Sequence, residues 1–177
     1  MSPRSPLQAT SDLIDIFLKP GELFVADGGW RIRTLLGSCV SITLWDPLTR
    51  TGGMSHFLLP TRGAAVPTAE FDGRYGDEAL QLIVDEFRRC GVAQQQCQAK
   101  IFGGGNMFPG HIRPGMVNVG QRNGEAARAL LQAHGIPVVS ESLFGVGHRQ
   151  IIFDVSNGDV WSHQVRPTLQ EAEEGLR

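Results

Sequence analysis

The chain has 177 residues, 41% of them hydrophobic and 19% charged, with a formal net charge of -2 at neutral pH. That is the length of one ordinary domain with enough apolar material for its own core, and too little charge of either sign to draw nucleic acid or an anionic membrane by electrostatics. A partner must be recognised by shape and local chemistry, and a single domain over residues 1–177 is expected.

The stretch up to Glu22 holds only a short apolar patch interrupted by Asp12 and Asp15. It reads as neither a signal peptide nor a spanning helix, so no membrane insertion and a cytoplasmic protein are expected. Residues 1–19 and 166–177 are expected to be flexible tails around a core of about residues 20–165. Residues 23–25 and 30–35 flank Asp27-Gly28-Gly29, a hairpin signal. Val40, Ile42 and Leu44 alternate with Ser41, Thr43 and Trp45, the period of a strand. Turn chemistry at Asp46-Pro47 and Gly52-Gly53 then leads to a second run, residues 54–59, which makes a second hairpin.

Residues 61–76 are polar, contain Pro67, and have the length of a loop that carries function. Two one-sided helices follow. In the first, Asp77 can cap, Leu80, Ile83, Val84 and Phe87 form the apolar stripe, and Gly91 is the stop. In the second, Asn123 is the cap candidate, Ala127, Leu130 and Leu131 make the stripe, and Gly135 and Pro137 end it. Residues 100–102, 136–140 and 150–155 read as strands, the last joined through Asn157-Gly158 to residues 160–165 as a third hairpin. Strands outnumber helices. The arrangement that buries every stripe is α+β, a layered α/β sandwich with a mixed, largely antiparallel sheet core, hairpins, and two helices packed on it.

Cys39, Cys90 and Cys97 make an odd count with no CxxC spacing, against a disulfide framework and against structural zinc. The histidines show no metal-binding spacing either, so neither metal nor cofactor is expected. A cysteine acts as a nucleophile only as thiolate, and with an ordinary pKa near 8.5 it needs a helper, most simply a histidine whose ring is oriented by a third group. Cys39 follows Gly37-Ser38 at the start of a strand, where uncommitted backbone N–H groups can form an oxyanion hole. If the two runs around Gly52-Gly53 pair so that opposed residue numbers add to an odd total, Cys39 and His56 share a face; an even total separates them. Both residues are equally at home as buried core, and spacing alone leaves that reading open.

Thr34-Leu35-Leu36-Gly37-Ser38-Cys39-Val40 and Gly52-Gly53-Met54-Ser55-His56-Phe57-Leu58-Leu59-Pro60 resemble the chemoreceptor glutamine deamidase family, CheD. Blocks beginning at Arg74, Lys100, Val119, Gly135 and Arg149 are similar to that family in the same order. The resemblance implies hydrolysis of selected glutamine side chains on methyl-accepting chemotaxis receptors, in some members also of glutamyl methyl esters, on a fold related to glutamine-deamidating toxins. Carried onto this chain, Cys39 is the nucleophile, His56 the base and Thr34 the third member; on the backbone argument above, Ser38 and Gly37 support the oxyanion. Thr34 reads equally as a strand-favouring residue.

Gly103-Gly104-Gly105 lacks the GK[ST] of a phosphate loop and reads as a strand-end loop. By resemblance, Gly104, Asn106 and Phe108 lie where substrate or a regulatory CheC-like chemotaxis phosphatase is met by a monomeric enzyme. The competing readings are a non-catalytic chemotaxis interaction module and an unrelated cysteine amidase.

Overall fold

Among the described residues of the computed structural model, 13–63, 70–110, 114–115 and 118–167, the chain forms nine strands and two helices. Pro67 and His111 fall outside them. The elements are β1 (Ile14–Phe17), β2 (Leu23–Ala26), β3 (Trp30–Leu36), β4 (Val40–Asp46), β5 (Thr51–Ser55), α1 (Gly76–Arg89), β6 (Gln98–Gly103), α2 (Val119–Ala133), β7 (Val138–Leu143), β8 (His148–Asp154) and β9 (Val160–Val165). They make two sheets, β2-β5-β4-β6-β7 and β1-β3-β8-β9. Only β6–β7 and β1–β3 are parallel pairs, and α2 is the crossover between β6 and β7.

The layers are helices, five-stranded sheet, four-stranded sheet, with one apolar core on each side of the middle layer. Val40, Ile42 and Leu44 pack with Leu80, Ile83 and Phe87 of α1 and with Ala127 and Leu131 of α2. Between the sheets, Met54 and Phe102 meet Ile32, Leu36, Ile151 and Phe153. Central β4 is thus covered on both faces, and even its polar alternates Ser41 and Thr43 are buried. A layered α/β sandwich is what the sequence led us to expect; its division into two sheets was not.

Four local expectations are corrected. The first hairpin is a corner: the turn forms, with Gly29 N–H donating to the Asp27 carboxylate at 2.9 Å, but β2 joins β5 while β3 joins β1 and β8. The two strands stack across the sandwich, Phe24 against Trp30 with ring centroids 4.9 Å apart. Gly52-Gly53 lies inside β5 and not in its turn, because only hydrogen fits there. A Cβ on Gly52 would stand 2.8 Å from Phe153 and Val155, and one on Gly53 3.0 Å from Ile83.

Within the expected N-terminal tail, residues 14–17 are strand β1, and Leu18 is 1% exposed with its N–H on the Arg33 carbonyl. Finally, neither helix is capped as expected. α1 starts at Gly76 without a side-chain cap, and α2 is capped by Asn118, whose side chain accepts from Gln121 N–H. Asn123 sits inside α2 and is fully buried.

Candidate active site

Three segments converge at one end of the space between the sheets. On β3 the inward positions are Ile32, Thr34 and Leu36, so Thr34 faces the five-stranded sheet and is buried. Gly37-Ser38-Cys39 crosses from β3 to β4. His56 directly follows β5, its backbone fixed by His56 N–H to Glu22 O at 3.1 Å and Gly21 N–H to His56 O at 2.8 Å.

The β4–β5 register has opposed numbers adding to 97: Thr43 faces Met54, Leu44 faces Gly53, and a further bridge joins Val40 to Phe57. The odd total puts Cys39 and His56 on one face as diagonal neighbours, with backbones roughly 7–8 Å apart. Cys39 is partly buried beside the inter-sheet core. No hydrogen bond joins its thiol to His56 in this arrangement; catalytic hydrogen bonds commonly tighten only when substrate is bound.

The Thr34 hydroxyl holds the histidine. Its oxygen lies 2.8 Å from the Leu18 carbonyl and 2.7 Å from His56 Nδ1. A hydroxyl has one proton, and a carbonyl can only accept, so Thr34 donates to Leu18 and must accept from His56. His56 therefore carries its proton on Nδ1 and leaves the Nε2 lone pair available. Burial pushes the imidazole down to about 4, partly opposed by the Glu22 charge.

Burial likewise pushes the Cys39 thiol up, opposed by its own backbone N–H. Both shifts favour the uncharged forms, a neutral thiol and a neutral imidazole, in the resting site. Of the other cysteines, Cys90 is exposed and Cys97 is buried, with its thiol pushed up to about 12.

The Gly37–Cys39 segment is built to be rigid while keeping donors open. Gly104 N–H donates to Cys39 O and Gly105 N–H to Gly37 O, both at 2.9 Å. Gly103 must be glycine, since its φ is +113° and a Cβ would sit 2.2 Å from Cys39 O. The triple glycine thus backs the segment that carries Cys39. Arg149, buried on β8, donates to Gly103 O at 2.7 Å and Phe144 O at 2.6 Å and braces that loop from below. Among the described residues the N–H groups of Ser38 and Cys39 donate to no carbonyl, which leaves them for an oxyanion.

Asn106 and Gly104 line a cavity of about 220 Å³ with Asn118, Gln121 and Phe144, and Phe108 is exposed beyond it. Among the described residues no cluster of three or more His, Cys, Asp or Glu could hold a metal, and no helix is long and apolar enough to cross a membrane.

Sequence reasoning missed Asn123. Its Nδ2 donates to Ser38 O at 3.0 Å and to Leu58 O at 2.8 Å, joining the residue before Cys39 to the segment after His56. The signal was present, because Asn123, Ala127 and Leu131 recur at four-residue spacing and so lie on one face of α2.

The sequence model described as CheD chemotactic sensory transduction matches residues 58–164. The chain is 73% identical over 154 residues to the protein named "Probable chemoreceptor glutamine deamidase CheD 2" of Albidiferax ferrireducens, an alignment covering 87% of this chain and 89% of that one. That alignment is too long to miss the stretch holding Thr34, Cys39 and His56. The chain is 43% identical over 159 residues to "Probable chemoreceptor glutamine deamidase CheD" of Pseudomonas savastanoi, covering 89% of each. Among solved structures, YlmD from Geobacillus stearothermophilus superposes with a TM-score of 0.45 at 16% identity, over 70% of this chain and 51% of that one.

Proposed function

As a member of the CheD family, to which the chain belongs, this protein is a chemoreceptor glutamine deamidase, and we propose that Cys39, His56 and Thr34 carry the reaction. The observation that carries this assignment is the Thr34 hydroxyl held between Leu18 O and His56 Nδ1, which fixes the tautomer that a base facing Cys39 requires.

The reaction is acyl transfer in two steps. As Cys39 Sγ bonds to the amide carbon of a receptor glutamine, its proton passes to His56 Nε2, and the carbonyl electron pair moves onto oxygen. The N–H groups of Ser38 and Cys39 stabilise that oxyanion, and Gly37 lets the segment turn. Collapse expels ammonia, which takes the proton from Nε2 and leaves a thioester. His56 Nε2 then removes a proton from water, the hydroxide oxygen bonds to the thioester carbon, and breakdown returns the proton to sulfur and releases glutamate.

A neutral resting pair suits this sequence, because charge is created only when substrate supplies the partner. A glutamyl methyl ester follows the same path, with methanol leaving. The enzyme acts in the cytoplasm as a monomer, and the exposed surface at Asn106 and Phe108 is where the receptor or a CheC-like phosphatase docks.

Incubating a receptor cytoplasmic fragment with wild-type protein and with Cys39→Ala tests the assignment by mass spectrometry. An amide-to-acid mass change at defined glutamines should appear with wild type only. Equal conversion by the variant refutes Cys39 as nucleophile.

A further inference from the structure

The register rungs that should set the separation of Cys39 and His56 are incomplete. On the β5 side of β4, Val40 and Phe57 exchange backbone hydrogen bonds of 3.1 and 3.0 Å, but Ile42 N–H goes to the Ser55 side chain at 3.2 Å. The ladder resumes only at Thr43–Met54. The catalytic end of the hairpin therefore rests on the single Val40–Phe57 rung, and a side chain from another layer of the fold ties the two segments just beyond it.

That side chain is Asn123. Both acceptors are carbonyls, so the amide orientation is forced, with both Nδ2 hydrogens used. Its Oδ1 is buried without a partner among the described residues. Packing α2 on the sheet needs no such group; an apolar residue would serve better, and asparagine is a poor choice for a helix interior. The two donated bonds are what the asparagine supplies. Among the described residues the other buried unpartnered side-chain atoms are Ser41 Oγ, two residues beyond Cys39, and Arg149 Nε, beneath the loop that backs it. Of these residues, Asn123 bonds the Gly37–Cys39 segment directly and Arg149 bonds the loop that backs it.

We propose that Asn123 is a positioning residue: by clamping Ser38 O to Leu58 O it sets the separation of the Cys39 thiol and the His56 ring from helix α2. This rests on the Cys39–His56 reading above. Asn123 touches neither substrate nor the reacting atoms, so removing it should slow the chemical step and leave receptor binding intact. Misplacement of reacting groups by about 1 Å can lower a rate on the order of 10²-fold.

The test is steady-state deamidation of a receptor cytoplasmic fragment by the full chain carrying Asn123→Ala or Asn123→Leu. The leucine keeps shape and helix propensity while removing both donors. Circular dichroism checks the fold, and wild type and Cys39→Ala run alongside. The expected result is a kcat lowered about 100-fold with KM within about twofold of wild type. Unchanged kcat in a folded variant, kcat and KM altered together, or loss of the fold in both variants overturns the inference, the last showing a purely structural cross-link. Deamidation by Cys39→Ala would instead sink the catalytic reading itself, so the two failures are distinguishable.

Discussion

Replacing Thr34 with valine keeps the shape and strand preference of the side chain but removes the hydroxyl between Leu18 and His56. Two buried groups then lose their partner, the Leu18 carbonyl and His56 Nδ1–H, at about 1–3 kcal/mol each, so unfolding stability should drop by roughly 2–6 kcal/mol. The hydrogen bond that selects the Nδ1–H tautomer has a net worth of about 1 kcal/mol, or a factor of five to ten in population. Freed rotation of the ring adds to that, and kcat should fall by roughly 10- to 100-fold with KM little changed. Thr34→Ser, which keeps the hydroxyl, should stay within a few fold of wild type. The assay is mass-spectrometric deamidation of a receptor fragment beside urea unfolding of each variant. A fully active Thr34→Val, or a Thr34→Ser as impaired as the valine, would refute the tautomer argument.

His56 titrates at about 4 in the folded protein against 6.5 ordinarily, so the acid limb of kcat/KM should lie well below pH 6; half-loss near pH 6.5 would contradict the buried base. Between pH 6.5 and 4 the unfolded chain binds the extra proton, so this contribution is complete above 6.5 and declines as pH falls through that window. It amounts to roughly 3 kcal/mol, readable in pH-dependent urea midpoints of wild type against His56→Asn. Gly103→Ala places a Cβ 2.2 Å from Cys39 O at a φ of +113°. It should lose about 2–4 kcal/mol of stability and at least about tenfold in kcat, measured by unfolding and turnover. In peptide-mapped alkylation of the native protein at pH 8, exposed Cys90 should label first and Cys97 should resist until unfolding.

The layered class could be read from the sequence because it depends on period two: Val40, Ile42 and Leu44 set one face of β4. The shared face of Cys39 and His56 could only be stated as a condition, because period two leaves the parity of the β4–β5 pairing open and the register itself decides it. What was hidden depends on contacts distant in sequence. Asp27-Gly28-Gly29 makes a good turn in either a hairpin or a corner, and only the claims of β5 on β2 and β8 on β3 decide between them. β1 is only four residues long and largely exposed, and it exists because it docks on β3, where Asp15 pairs with Arg31 at 2.7 Å. Gly52-Gly53 carries turn chemistry locally, yet is selected by Phe153 and Ile83 from other layers. Asn123 has the composition of a cap, and its partners lie 85 and 65 residues away. The Thr34–His56 bond spans 22 residues and two sheets, so the proposed role of Thr34 was visible only as a resemblance.

The most direct test is to catch the intermediate. A receptor peptide containing the target glutamine is mixed with the enzyme, quenched in acid within a turnover, and the protein is mapped by mass spectrometry. The account predicts a thioester on Cys39 with the mass of the peptide less ammonia, released as the glutamate product when the quench is delayed. Deamidation proceeding with no adduct on Cys39, or with the adduct on another residue, would contradict it.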